Sequence, residues 1–332
     1  SQGTLGAALA IAASRKTETR AACLAGVLGG LAPDLDVFLG SATDPLLFLE
    51  YHRQFTHSLV FIPIGGFLAG GVAWLLLGRR WPFLTVWLYA TLGYATHGFL
   101  DSCTSYGTQL FWPFTNYRVA WNNISIIDPV LTLVLLALVV TATVRRSVVM
   151  GRVALVWALT YLGLGGVQNL RVAAASEAVA AERGHEPVRL EPKPGFGNLL
   201  LWKVVYEFDD HYHVDAVRAG LTTIVYPGES IPKLNVTEQF PWLDPTSQQA
   251  RDVERFRWFS QDFLGYDASH DWIIDVRYSN LPDEIDGLWG IRVKRGAPRD
   301  AHIDYITQRE VSAEGGARYM RMLRGEPRGP PE

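Results

Sequence analysis

Cysteine and charged residues are scarce in this sequence. Its 332 residues include two cysteines, which are too few for a disulfide framework, and no Cys-x-x-Cys zinc motif is present. The formal net charge is -3, so the composition gives no indication of nucleic acid as a partner. Charged residues make up 19% of the chain. Their scarcity is concentrated in residues 1–170, whereas residues 171–332 have the charge density of a soluble domain.

Long apolar stretches in residues 1–170 predict an α-helical membrane bundle. A helix needs about 20 apolar residues to cross a bilayer, and four stretches approach that length: 59–78, 81–100, 126–144 and 153–170. Two further stretches, 3–13 and 21–32, are too short to cross alone. We expect them to form a short helical hairpin packed inside the bundle, with Pro33 ending its second helix. A pair of amphipathic helices on the membrane surface is the alternative.

The basic residues indicate an orientation. They fall in turns on one side of the predicted bundle, and by the positive-inside rule that side is cytoplasmic. These residues are Arg15, Lys16, Arg20, Arg79, Arg80, Arg145, Arg146 and Arg152. The opposite ends of the spans and residues 171–332 are therefore expected on the outer side.

Residues 171–332 predict an extramembrane part. We expect an exit helix and linker over 171–195, with the linker at residues 191–195, and then an α+β domain over 196–332. Its antiparallel sheet and helix are predicted from alternating and helical apolar patterns. The strands are expected at 199–208, 212–217, 272–278 and 288–293, the helix at 246–264, and a frayed tail at 324–332.

Acidic and histidine residues form three clusters at the ends of the predicted spans. The clusters are Pro33-Asp34-Leu35-Asp36, His52-Arg53-Gln54-Phe55-Thr56-His57-Ser58 and His97-Gly98-Phe99-Leu100-Asp101. Such side chains are costly beside lipid and mark functional sites by default. All three histidines of residues 1–170 belong to these clusters. We therefore expect the clusters to meet around a metal ion.

The spacing within the first and third clusters suits metal ligands. His97 and Asp101 are four residues apart on a predicted helix, so they share a face. Asp34 and Asp36 alternate in a segment that we expect to be extended, so one can bind the metal while the other orients a ligating histidine. Each cluster taken alone also has a structural explanation, as a hydrogen-bonded His–Asp pair or as a turn.

The second cluster adds two histidines and an arginine. Thr56 is the predicted N-cap of the next span, which places His57 in its first turn. Arg53 can bind an anionic substrate group. The alternative is that these polar residues have no functional role and only interact with water at the start of a helix.

Taken together, the clusters predict a centre with mixed imidazole and carboxylate ligands. Such ligands suit zinc, with manganese or iron as alternatives, and we expect one or two ions. A water activated by the metal would attack the substrate, with Asp34, Arg53 and Asp101 as catalytic residues. The predicted metal ligands are Asp34, Asp36, His52, His57, His97 and Asp101.

Other polar residues are weaker candidates. Asp128 is a possible seventh site residue, although a carboxylate before Pro129 suits a helix start better. Exposure on a hairpin is the favoured explanation for His211 and His213. Several residues after Asp101 can line a pocket, namely Thr104, Ser105, Tyr106 and Gln109.

On these residues the chain resembles the YdjM-like family of bacterial inner-membrane, metal-dependent hydrolases. The likeness extends from the Gln2-Gly3 opening through the three clusters to Thr104-Ser105-Tyr106-Gly107 and Ile127-Asp128-Pro129. It implies metal-dependent hydrolysis at a bacterial inner membrane. The His97-x-x-x-Asp101 element is also distantly similar to zinc-dependent phospholipase C and related nucleases. Their later histidine ligands have no counterpart after Asp101 in residues 1–170, which favours one or two metals over three.

The sequence therefore predicts a membrane-bound hydrolase of a phosphoester in a lipid or lipid-linked substrate, acting at the outer, periplasmic face. Three alternatives remain. A metal-activated water also serves amides and carboxylic esters. A metal transporter or sensor would need polar residues deep inside several spans, which the apolar stretches lack. A scaffold with a structural metal would unfold on metal removal.

Overall fold

A computed structural model describes residues 1–327. The chain divides into two compact units. The first comprises Ser1–Leu39, Tyr51–Val167 and Phe196–Asn198. The second comprises Gly40–Glu50, Gln168–Gly195 and the chain from Leu199 onward.

The first unit is helical. The helices of the chain up to Glu182 are, in order, α1 (Gln2–Ala13), α2 (Thr19–Leu31), α3 (Leu47–Tyr51), α4 (Ile62–Leu76), α5 (Phe83–Ser102), α6 (Pro129–Val144) and α7 (Val148–Glu182). A 3₁₀ helix at Ala32–Phe38 continues directly from α2. All of α3 except Tyr51, and α7 from Gln168 onward, belong to the second unit.

Glycines bring α1, α2 and α5 into backbone contact. A Cβ atom built on Gly26 would lie 2.6 Å from the carbonyl oxygen of Gly6, and one built on Gly93 would lie 2.3 Å from that of Gly26. Both distances are shorter than real contacts, so larger residues do not fit. Small residues at such crossings permit close packing in apolar surroundings. The packing fixes α5 against α2, whose following 3₁₀ helix carries Asp34.

Three helical segments of the described chain are long and apolar enough to cross a membrane: Thr19–Phe38, Leu59–Leu76 and Val148–Glu182. The first corrects a prediction. The α-helix does end at Leu31, two residues before Pro33, as predicted. A 3₁₀ helix continues from it, because proline is tolerated in a first helical turn, where its missing N–H is not needed. The combined segment is therefore longer than expected and is a candidate span. The predicted spans at 81–100 and 126–144 form α5 and α6, which are outside this set, so a count of four spans is not confirmed.

The second unit contains two antiparallel four-stranded sheets, with strand orders β1-β2-β3-β4 and β5-β6-β7-β8. A core that includes Tyr212, Phe263 and Trp272 draws side chains from both sheets. The strands are β1 (Arg189–Pro194), β2 (Leu201–Phe208), β3 (His211–Ala219), β4 (Thr223–Pro232), β5 (Leu264–Asp267), β6 (Trp272–Asp275), β7 (Trp289–Arg292) and β8 (Asp304–Thr307), and the helices are α8 (Val236–Gln239), α9 (Gln248–Phe259) and α10 (Ala313–Arg324). The α-helical and antiparallel-sheet classes predicted for the two parts are both present.

The predicted linker at residues 191–195 is wrong. Most of it belongs to β1, which pairs with β2 from Arg189 to Pro194. Its prolines are compatible with a strand because β1 is an edge strand, where a missing N–H is tolerated. The predicted tail begins within the last turn of α10, and residues 328–332 lie outside the described residues.

Candidate metal centre

Four potential metal ligands converge in the first unit. Asp34 lies on the 3₁₀ helix, His57 ends a short 3₁₀ turn at Phe55–His57, and His97 and Asp101 lie on α5. One ligand atom from each residue lies within 4.8 Å of all the others. We call these four residues the ligand cluster. Three members are buried, whereas the side chain of Asp34 is 49% exposed, so the cluster is accessible at Asp34.

The distances within the ligand cluster match a small metal site. The Nε2 atoms of His57 and His97 are 2.9 Å apart. Asp101 Oδ2 lies 3.2 and 3.5 Å from these nitrogens, and Asp34 Oδ1 lies 3.8 and 3.4 Å from them. Tetrahedral zinc with ligands at about 2.0–2.2 Å separates those ligands by about 3.3–3.6 Å. The four atoms are therefore spaced to hold one ion after small adjustments.

Neighbouring oxygen atoms orient both imidazoles for metal binding. His97 Nδ1 lies 2.6 Å from the carbonyl oxygen of Gly30. That oxygen can only accept, so Nδ1 carries the proton and Nε2 keeps a free lone pair. His57 Nδ1 lies 3.2 Å from Asp36 Oδ2, which turns its Nε2 toward the cluster in the same way. Such partners fix the tautomer of metal-ligating histidines and raise their basicity.

The electrostatics of the cluster also suit a cation. Burial opposes a positive charge on His57, but its hydrogen bonds with Asp101, Asp34 and Asp36 outweigh that effect and raise its pKa to about 10. Asp101 Oδ2 is buried, and His57 Nε2 and Arg53 Nε each lie 3.2 Å from it. With both imidazoles neutral, the two negative charges of Asp34 and Asp101 exceed the single positive charge of Arg53. A divalent ion would supply the balancing charge, and binding it would require a neutral His57.

Asp36 supports the cluster from the side of His57. Its Oδ1 lies 2.8 Å from His52 Nδ1, and its Oδ2 accepts hydrogen bonds from the backbone N–H of Arg53 at 3.0 Å and the hydroxyl of Thr56 at 2.8 Å. These bonds join the 3₁₀ helix at residues 32–38 to the segment that carries His57. The predicted metal ligands His52 and Asp36 are therefore paired with each other, outside the ligand cluster.

Two local expectations about these residues are wrong. Asp34 and Asp36 lie on a 3₁₀ helix and not on an extended segment. At about three residues per turn, positions two apart still point in different directions, so the two carboxylates separate as expected. Thr56 is not a helix N-cap, because its hydroxyl is bound to Asp36 and α4 begins only at Ile62.

Arg53 lies at the edge of the ligand cluster. Its Nε atom is 3.2 Å from Asp101 Oδ2, and its Nη1 donates to Thr104 Oγ1 at 2.8 Å. The guanidinium carbon lies 4.9 Å from the centre of the Tyr106 ring. The backbone N–H of Gln109 donates to the Arg53 carbonyl at 2.9 Å. Three of the loop residues after Asp101 thus contact Arg53, and Ser105 is buried in the same loop.

The sequence interpretation missed Gln2. Its Nε2 donates a hydrogen bond to Asp101 Oδ1, so α1 contributes directly to the positioning of a cluster carboxylate. A glutamine at a helix start carries no specific signal, and only the Gln2-Gly3 opening of the family resemblance pointed to it. Tyr94 was also missed. Its hydroxyl donates to the Thr56 carbonyl at 2.6 Å and so holds the segment beside His57.

The remaining candidates lie elsewhere. Asp128 caps α6, accepting from the backbone N–H of Leu131 at 2.9 Å and from the hydroxyl of Tyr161. His211 and His213 lie on β3, and neither belongs to a potential ligand group within residues 1–327.

Comparisons with known proteins find matches to the part of the chain that carries the ligand cluster. The family model described as YdjM inner membrane protein matches residues 1–172. The chain is 31% identical over 109 residues to the uncharacterized protein YfhP of Bacillus subtilis, an alignment that covers 33% of each chain. It is also 31% identical over 109 residues to the inner membrane protein YbcI of Escherichia coli, covering 31% of this chain and 60% of YbcI.

The chain thus spans between one third and about three fifths of the length of these relatives. No solved structure matches it. The family match covers slightly more than half of the chain and contains every residue of the ligand cluster. The chain therefore belongs to the YdjM inner membrane protein family.

Proposed function

We propose that this protein is a membrane-embedded, metal-dependent hydrolase that cleaves a phosphoester of a lipid or lipid-linked substrate. The observation that supports this proposal is the convergence of Asp34, His57, His97 and Asp101 from three separate segments. Helix periodicity alone explains the proximity of His97 and Asp101. It does not explain why two further potential ligands meet them at metal-site distances.

The exposure of Asp34 favours a catalytic metal over a structural one. Structural zinc sites are closed by four protein ligands, whereas catalytic sites keep a position open to water or substrate. Here three members of the cluster are buried and the fourth is half-exposed at the rim. An ion held mainly by His57, His97 and Asp101 would therefore remain reachable from outside the cluster.

Each polar residue then has a defined task. A bound divalent ion, which we propose to be zinc, with manganese or iron as alternatives, would polarise the substrate and lower the pKa of a water. Asp34 is the half-exposed carboxylate and can accept the proton of the attacking water. Arg53 can hold an anionic oxygen of the substrate, because its guanidinium faces Asp101 at the cluster edge. Asp36 and His52 orient His57 and Arg53.

The position of the basic residues supports a site at the outer face of the membrane. The helix connections that carry Arg79-Arg80 and Arg145-Arg146 lie at the ends of α4 and α6 remote in sequence from the cluster. By the positive-inside rule these connections are cytoplasmic. The ligand cluster and residues 171–332 are then periplasmic, and the substrate would reach the cluster from the interface.

Elemental analysis of the full chain purified in mild detergent tests the metal assignment. We expect one equivalent of zinc or manganese, or two if a second ion binds beside the cluster. The variants His97→Ala and Asp101→Asn should lose the metal. His270→Ala is the matched control, because His270 is exposed in the second unit. A metal-free, folded wild-type protein would refute the proposal.

Activity assays then separate the enzyme classes. We expect metal-dependent turnover of bis(p-nitrophenyl) phosphate or a phospholipid, and none in His97→Ala. Turnover of p-nitrophenyl butyrate alone would instead indicate a hydrolase of carboxylic esters, because the same metal centre would polarise carbonyl oxygens. Unfolding on chelation, with no turnover of any probe, would identify the metal as structural.

A further inference from the structure

We propose that Arg118, together with Arg53, forms a phosphoryl-binding subsite beside the ligand cluster, with both guanidiniums packed against the Tyr106 ring. This inference rests on the proposed function, because it specifies how that site would recognise an anionic substrate. The ligand it defines is a phosphate group with at least two free oxygens, whether on a lipid headgroup or in solution.

The geometry of the two arginines supports the subsite. Arg53 is only 7% exposed and Arg118 only 3%. Their guanidinium carbons lie 4.9 and 5.5 Å from the centre of the same Tyr106 ring. The two buried positive groups therefore lie against the same aromatic ring. Guanidinium is the cation best suited to such a place, because it stacks on aromatic rings and its planar fork matches phosphate oxygens.

The charge balance of the site favours an anion there. Asp34, Asp36 and Asp101 carry three negative charges, whereas the two arginines and one divalent ion carry four positive charges. Asp101 is also shared, since it faces both Arg53 and the histidines of the cluster. A loaded site would therefore be left with one net positive charge in partly desolvated surroundings, where electrostatic attraction is stronger than in water.

The backbone holds Arg118 in place. A pair of hydrogen bonds joins Thr108 to Val119, at 2.9 and 2.8 Å, and Arg118 Nη2 donates to the Gly107 carbonyl at 2.9 Å. Gly107 has a φ of +88°, which favours glycine, and a Cβ there would lie 3.0 Å from Arg118 Cβ and 3.2 Å from its Nε. The arginine side chain thus lies across a residue that has no side chain of its own.

Arg53 is held in an uncommon conformation. Its φ of +63° is rare outside glycine and asparagine. Two hydrogen bonds stabilise it, one from its N–H to Asp36 and one to its carbonyl from the N–H of Gln109. Such backbone strain concentrates at functional sites. Gln109 adds a second signal, because its buried Nε2 has no hydrogen-bond acceptor within the described part of the chain.

Calorimetric titration of the zinc-loaded full chain in phosphatidylcholine nanodiscs tests the subsite. The probes are inorganic phosphate and dihexanoyl phosphatidic acid, and the metal content of each sample is measured in parallel. Arg118→Gln should keep its metal and bind phosphate about tenfold or more weakly, as expected for the loss of a charge-assisted contact. Arg118→Lys should recover part of the affinity, and Arg80→Gln, in an exposed basic turn, should match the wild type.

The outcomes separate this inference from the proposed function. Equal phosphate affinity in Arg118→Gln and wild type would overturn the subsite, and so would metal-loaded wild type that binds neither probe. Phosphate binding that depends on Arg118 in a protein without metal would support the subsite and overturn the hydrolase mechanism. If Arg118→Gln does not fold, the phosphate affinity of Arg118→Lys is the test instead. An affinity equal to that of the wild type would refute a role for the planar guanidinium of Arg118. Tighter binding of phosphatidic acid than of phosphate would identify a lipid headgroup as the source.

Discussion

Replacing Gly98 with alanine should disturb the ligand cluster without removing any ligand. Gly98 lies on α5, one residue after His97. A Cβ atom built on it would be 2.2 Å from the carbonyl oxygen of His57. Real Cβ contacts are essentially never shorter than 3.0 Å. The backbones at Gly98 and His57 must therefore separate by about 0.8 Å, because both contacting atoms are fixed by the main chain.

A displacement of that size is large for a metal site. Ligand distances in a sound site are met to about 0.2 Å. The two imidazole Nε2 atoms, 2.9 Å apart in the native chain, would move apart as the His57 segment moves away from α5. Supporting contacts of metal ligands typically change metal affinity by about 10–100-fold when they are lost. We expect Gly98→Ala to weaken metal binding within this range while the protein remains folded.

Competition with a metal chelator of known affinity measures the effect. Gly71→Ala is the matched control, since Gly71 lies in α4 and a Cβ there meets nothing within 4 Å. We expect the control to bind metal as the wild type does and to be at least as stable, because alanine favours helix over glycine. An equal metal affinity in Gly98→Ala and wild type would refute the close contact between α5 and the His57 segment.

Two further predictions concern buried polar groups. Burial lowers the pKa of Lys203 to about 7, against the opposing effect of nearby carboxylates, first among them Asp283. Between pH 7 and about 10.5 the unfolded chain therefore binds more protons than the folded chain. The free energy of unfolding should rise with pH in this range, by up to about 1.4 kcal/mol per pH unit. Hydrogen exchange of β2 at matched pH values should show this rise in the wild type and not in Lys203→Met. Asp128→Ala should destabilise the protein by about 2–4 kcal/mol, because α6 loses its cap and the Tyr161 hydroxyl its acceptor. Its metal content should not change, and a loss of metal would instead assign Asp128 to the site.

Local patterns predicted some features of the site, and through-space contacts account for what they missed. The pairing of His97 with Asp101 follows from helix periodicity, which the sequence displays directly. The approach of Asp34 and His57 to that pair depends on glycine packing between α2 and α5, which no local pattern encodes. The position of all three clusters at the ends of the predicted spans suggested that they meet, and the resemblance to a known family supported that expectation. Gln2 was missed because its role exists only once α1 has packed against the end of α5.

The errors in secondary structure have a common origin in proline. Pro33 correctly marked the end of α2, but it also suggested an extended segment, and a 3₁₀ helix follows instead. Pro192 and Pro194 suggested a linker, although both lie in the edge strand β1. In each case the tertiary setting decides whether the missing N–H matters, and the sequence does not show that setting.

The hydrogen bonds from Asp36 to His52 and to the Arg53 backbone have an evolutionary consequence. They close a loop that begins and ends beside the ligand cluster, so the residues between Asp36 and His52 are not needed to hold its two ends together. Lengthening such a loop costs little, about 0.6 kcal/mol for each doubling. Insertions should therefore be tolerated at the exposed residues 40–43, but not at residues 44–50, because Leu46 and Leu49 are buried and Asp44 and Glu50 pair with Arg255 in the second unit.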